Sequence, residues 1–162
     1  MTESLANQLL TNKRRMVAAE SCTGGLLCGQ LSSIPGASSW FEGGFVTYAL
    51  SAKRSMLGVP SATLDHYGAV SEPTARAMAE GALRHTTAHL SVAISGIAGP
   101  EGGDVLVPVG TVWFAWATHQ APAAPTCVYA AQHHFSGTRR EVREQAVTIA
   151  LEGSLQVAMD LS

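Results

Sequence analysis

The stretch of residues 16–27 limits most what this chain can fold into. A short apolar run, Met16-Val17-Ala18-Ala19, passes into Glu20-Ser21-Cys22-Thr23, then Gly24-Gly25, then Leu26-Leu27 at the start of a helical pattern. That order reads as strand, polar turn and helix. Strand-to-helix turns at the carboxyl end of a parallel sheet place N–H groups and hydroxyls where an anionic ligand can sit, and the helix N-terminus adds partial positive charge. The glycines allow close approach to the main chain. Ser and Thr ahead of a helix are equally ordinary caps, so this stretch alone leaves a ligand site and a capped turn both open.

The remaining pattern repeats strand and helix. Leu5, Leu9 and Leu10 predict a short helix over 4–13, and residues 26–33 a second one stopped by Ile34-Pro35-Gly36. A loop at 37–44 leads to a strand at 45–48, whose alternation puts Phe45 and Thr47 on one face and Val46 and Tyr48 on the other, with Tyr48 expected to be buried. Ser51 reads as the cap of a helix over 52–57, placing Lys53 in its first turn. A cation there opposes the helix dipole, which should lower the lysine's pKa; the plainer alternative is a solvated surface lysine. A short helix is expected at 61–66, and Ser71, Glu72 and Pro73 open the next one. His85 and His89 are expected to face solvent near its end, where partial protonation is favourable. Leu90-Ser91-Val92-Ala93-Ile94 is a second buried strand, followed by a glycine-rich loop from Ser95 to Pro108. Residues 110–117 and 126–135 predict an antiparallel hairpin, and Thr138 and Glu141 a capping box for the last helix. Gly153 is a weak point in that helix. Arg139, a cation at a positive helix end, suits an anion partner. The fold expected is a single domain over 1–162: a three-layer α/β/α sandwich with a mixed, mostly parallel sheet.

Composition narrows the function. A chain of 162 residues with 46% hydrophobic and 14% charged residues has core enough without metal or disulfide, and its net charge of −2 leaves no footprint for nucleic acid. Cys22, Cys28 and Cys127 are odd in number and form no C-x-x-C pair, so free thiols and a cytoplasmic, reducing setting are expected. No apolar run reaches membrane-spanning length. P-loop, dinucleotide and zinc-hydrolase fingerprints are all missing, so no metal and no cofactor is expected. Two glycine-rich turns after strands, an arginine at a helix start and a strand tyrosine suggest a pocket for a phosphorylated small molecule. Covalent chemistry would fall to a Ser, Lys, Tyr set or to Cys22.

Several segments together resemble the CinA C-terminal domain family: AESCTGG (19–25), GGFVTYALSAK (43–53), GAVSE (68–72), SGIAGPEGG (95–103) and PVGTVWFA (108–115). The likeness spans nearly the whole chain with its motifs in order. It implies an anticodon-binding-domain-like α/β/α fold, a homo-oligomer of two or more copies, and the activity of a nicotinamide-nucleotide (NMN) amidohydrolase in pyridine nucleotide recycling. It also implies a catalytic set of Ser38, Tyr48 and Lys53. The candidate substrate contacts are Ser21, Cys22, Thr23, Gly24, Gly25, Gly43, Gly44, Gly96, Gly99, Gly102 and Arg139. Backbone N–H groups of the 21–25 turn would support either the oxyanion or the substrate phosphate.

The chain departs from the family pattern at Val107, where a lysine is usual, at Leu50, where a polar residue is usual, and at Thr138, where an acid is usual. These bear on substrate identity more than on fold. A second reading is therefore a nucleotide-binding domain with little or no hydrolysis that acts through oligomerisation or partners. A third is a thiol enzyme using Cys22, whose place before a helix would lower its pKa.

Overall fold

The computed structural model describes residues 1–162. In chain order the elements are α1 (Thr2–Thr11), β1 (Met16–Glu20), α2 (Leu26–Ser32), a 3₁₀ turn (Ala37–Ser39), β2 (Phe41–Val46), α3 (Leu50–Leu57), α4 (Ser61–Tyr67) and α5 (Glu72–Arg84). They are followed by β3 (Leu90–Gly96), β4 (Thr111–Thr118), β5 (Thr126–His134) and α6 (Arg139–Asp160). The sheet order is β2-β1-β3-β4-β5. β1 runs parallel to β2 and β3, while the β3/β4 and β4/β5 pairs are antiparallel, so β4 alone is reversed. This is the expected three-layer α/β/α sandwich with a mixed sheet.

Side-chain alternation along β1 divides the interior. Met16 and Ala18 join the core formed with α1, α2 and α6, whereas Val17 and Ala19 join the core under α3, α4 and α5. The same parity carries past the end of the strand: Glu20 turns toward α2 and Ser21 toward α3. The connections leaving β1 and β2 cover opposite faces. A crevice consequently opens at the carboxyl ends of β1 and β3, the switch point where open α/β sheets bind ligands.

Several local expectations change. β2 begins at Phe41 and ends at Val46, so Tyr48 lies beyond the strand and is 58% exposed instead of buried. α3 starts at Leu50 with Ala49 as its N-cap and no side-chain cap, so Ser51 does not cap it. His89 is half-buried and its Nδ1 accepts the Arg15 N–H at 3.1 Å, while burial lowers its pKa; it is a neutral packing residue and not a solvent-facing cation. His85 sits at the end of α5 as expected. Ser71 and Thr138 cap their helices, accepting the N–H of Thr74 and of Glu141; of the expected capping box only this half forms, since the Glu141 carboxylate does not accept the Thr138 N–H.

Gly153, a weak helix residue by propensity, is required by packing. A Cβ there would lie 2.1 Å from Cζ2 of the buried Trp116, whose indole N–H donates to the Ala150 carbonyl at 3.3 Å. Gly153→Ala should therefore destabilise the fold by about 1–3 kcal/mol, against the gain of about 1 kcal/mol that helix propensity alone would give. Urea denaturation of the two proteins measures this difference.

Candidate active site

At the switch point, Lys53 is the unusual side chain. It lies on α3, is only 1% exposed and forms no ion pair with a carboxylate. Its Nζ donates to Ser21 Oγ at 2.8 Å, to the Thr47 carbonyl at 2.8 Å and to the Tyr48 carbonyl at 3.1 Å. Burial pushes its pKa down to about 8. The two carbonyls hold two of its protons in either charge state. The third position faces Ser21, and on deprotonation it becomes a lone pair aimed at the serine hydroxyl. A buried amine so arranged has the geometry a general base for that hydroxyl requires.

Tyr48 and Arg139 close one side. Arg139 Nη2 donates to the Tyr48 hydroxyl at 2.8 Å and Nη1 to the Gly99 carbonyl at 2.8 Å. With its oxygen accepting from the guanidinium, the phenol proton is free to point elsewhere. Ser21, Cys22, Tyr48, Lys53, Gly96, Gly99, Gly102 and Arg139 all line one cleft of about 230 Å³, together with Ser95, Glu101 and residues of the loop after β3. A larger groove of about 470 Å³ between β5 and the end of α6 holds no such nucleophile and base.

Ser38 is not brought to this group. It is exposed in the 3₁₀ turn before β2, and its carbonyl accepts from Arg15 Nη1 at 3.0 Å. Arg15 precedes β1 and Ser21 follows it. The five residues of β1 therefore separate Ser38 from the lysine by roughly 16 Å at about 3.3 Å per residue. The hydroxyl that meets Lys53 is Ser21, 32 positions away in sequence. Thr23, Gly24 and Gly25 shape the turn behind Ser21 without lining the cleft, and Gly24 and Gly25 take positive φ values of 56° and 104°. Gly43 and Gly44 lie in β2 outside the cleft; a Cβ on Gly44 would meet Cys28 Sγ at 2.1 Å, so Gly44 packs α2 against the edge strand, while Gly43 takes a positive φ of 145°.

The cysteine route is also corrected. Cys22 is buried, and desolvation raises its pKa to about 11, so the field of the turn does not yield a thiolate. The amino end of α2 is already occupied: the fully buried Glu20 accepts the N–H of Gly25 at 3.2 Å, of Leu27 at 3.0 Å and of Cys28 at 2.9 Å. A substrate phosphate has no place there. Glu20 carried a signal in the sequence, an acid just ahead of a helix start, and so did Arg143, one turn after Arg139 on the same helix. Leu50, Val107 and Thr138 do not line the cleft, and Thr138 is the cap of α6.

The fold sets a serine–lysine pair, residue types that serve acyl transfer in amide hydrolases, at the switch point of an α/β/α domain. The chain belongs to the CinA C-terminal domain family, whose model matches residues 1–158. It is 45% identical over 152 residues to the nicotinamide-nucleotide amidohydrolase PncC of Escherichia coli (strain K12), covering 94% of this chain and 89% of that one. It is 42% identical over 161 residues to the nicotinamide-nucleotide amidohydrolase PncC of Pseudomonas putida, covering 97% of each. Among solved structures, a competence-damaged protein (CinA) superfamily protein from Klebsiella pneumoniae superposes with a TM-score of 0.89 at 35% identity, over 98% of this chain and 96% of that one. No helix is long and apolar enough to cross a membrane.

Proposed function

We propose that the protein hydrolyses the carboxamide of nicotinamide mononucleotide, giving nicotinic acid mononucleotide and ammonia, with Ser21 as nucleophile, Lys53 as base and Tyr48 as proton donor. One observation carries this: the 2.8 Å contact between Lys53 Nζ and Ser21 Oγ inside a cleft, with the amine's other two positions taken by carbonyls. Neutral Lys53 takes the serine proton as Oγ bonds to the carboxamide carbon. The resulting tetrahedral oxyanion collapses, and the C–N bond breaks as the departing nitrogen takes a proton from Tyr48, which Lys53 resupplies. Ammonia leaves and an ester to Ser21 remains. Water, deprotonated by Lys53, attacks this ester, and the serine oxygen recovers its proton as the carboxylic acid product departs. Arg139, at the mouth of the cleft beside Tyr48, is the cation suited to the substrate phosphate.

The activity of the amidohydrolase relatives and the Arg139 cation at the mouth of the cleft support this substrate, and ammonia release tests it. Nicotinamide mononucleotide should be turned over, while free nicotinamide and the phosphate-free riboside react at least about tenfold less efficiently for want of the arginine contact. No ammonia from any pyridine nucleotide would overturn the assignment in favour of a nucleotide-binding domain.

A further inference from the structure

We propose that Arg143 is a positioning residue that aims the backbone N–H of Cys22 at the oxyanion formed on Ser21 attack, a role that rests on the acyl-transfer reading of the cleft. Nearly every other polar group in the turn has a partner. The Ser21 N–H donates to the Ile94 carbonyl at 3.0 Å and the Gly24 N–H to the Ser21 carbonyl at 3.0 Å, while Gly25 donates to Glu20. The N–H groups of Cys22 and Thr23 donate to no other residue. Thr23 is fully buried, whereas Cys22 lines the cleft next to the nucleophile, so the Cys22 N–H is the unpaired donor open to a ligand.

Their direction follows from peptide planarity, because C=O and the next N–H point opposite ways in a trans unit. Arg143 Nε donates to the Cys22 carbonyl at 3.0 Å and Nη2 to the Thr23 carbonyl at 3.2 Å. Holding the Thr23 carbonyl turns the Gly24 N–H of the same peptide unit toward the Ser21 carbonyl. The Ser21 carbonyl is held inward by Gly24, which turns the Cys22 N–H outward. Cys22 lines the cleft in which Lys53 meets Ser21 Oγ, so the outward Cys22 N–H faces that cleft. Glu20 fixes the far end of the same turn through three N–H groups. The half-buried guanidinium also polarises the peptide units it holds, strengthening them as donors.

The test is the steady-state kinetics of ammonia release from nicotinamide mononucleotide by Arg143→Ala, Arg143→Lys, Ser21→Ala and, as a control, Arg140→Ala. Arg140 is an exposed residue paired with Glu144 on the same helix. Loss of one oxyanion donor should lower kcat by about 100-fold in both Arg143 variants, with KM within about threefold of wild type and Arg140→Ala within about twofold. The pH midpoint set by Lys53 should stay near 8, and millimolar guanidinium chloride should partly restore Arg143→Ala but not Ser21→Ala. Arg143→Lys keeps the charge and stem without the planar fork, so it decides the matter if Arg143→Ala does not fold. A kcat near wild type in Arg143→Lys, or a raised KM with unchanged kcat, overturns the proposal while an inactive Ser21→Ala keeps the acyl-transfer reading. An active Ser21→Ala overturns both.

Discussion

Ser21→Ala is expected to lower kcat for amide hydrolysis by about 10³-fold or more, since removal of an attacking oxygen leaves only binding and oxyanion stabilisation to catalyse the step. Substrate binding, followed by calorimetry, should persist because the main chain of the turn is untouched. Ser38→Ala should stay within about twofold of wild type, because Ser38 offers its neighbours a carbonyl, which alanine retains, and its side chain sits in solvent. A working Ser21→Ala beside an inactive Ser38→Ala would reverse the assignment of nucleophile. The two variants differ only in which hydroxyl is lost, so they separate the pair held at 2.8 Å from the serine that the family resemblance implies.

The second large effect is on pH dependence. With the lysine pKa lowered from 10.5 to about 8 by burial, kcat/KM should rise one proton's worth through a midpoint near pH 8 and level off above it. Lys53→Met, close in volume and unable to accept a proton, should lose about 10³-fold in kcat together with this limb. Stability carries the same signature. Below pH 8 the lysine is charged in both folded and unfolded chains, and burying that charge opposes folding in full. Between about 8 and 10.5 only the unfolded chain stays protonated, so stability rises with pH; above 10.5 the penalty is gone. Wild type should therefore gain on Lys53→Met by on the order of 3 kcal/mol across that window, at about 1.4 kcal/mol per pH unit. Denaturant melts of both proteins from pH 7 to 10.5 measure it, and a constant difference would show that Lys53 is not held with a lowered pKa.

Much of the site could be read before any tertiary contact was known. The β1-turn-α2 unit, Tyr48, Lys53, Arg139 and the glycines of the loop after β3 were all singled out, and all but the back of the turn line the cleft. The family resemblance implies Ser38, which the structure sets apart from the lysine. Ser38, Tyr48 and Lys53 are close in sequence, yet an extended β2 lies between the first and the other two and carries them to opposite ends of the sheet. The lysine's burial was also hidden. A cation in the first turn of a short helix reads as a solvated side chain, and only the carbonyls of Thr47 and Tyr48 with the Ser21 hydroxyl make a closed site for it.

Local chemistry along the chain determined the alternation of strands and helices, the caps at Ser71 and Thr138 and the glycine turns, because each depends on neighbours a few positions apart. Tertiary structure alone decided which serine meets the lysine. Parallel pairing of β1 with β2, with Glu20 opposite Val46, sets Ser21 beside Thr47, where the chain turns back into α3. The same sheet sent Glu20 to the other face to fill the start of α2, and α6 brought Arg143 from 121 positions away to the Cys22 carbonyl. Register between strands and packing across a sheet are properties of pairs distant in sequence, and no local pattern encodes them.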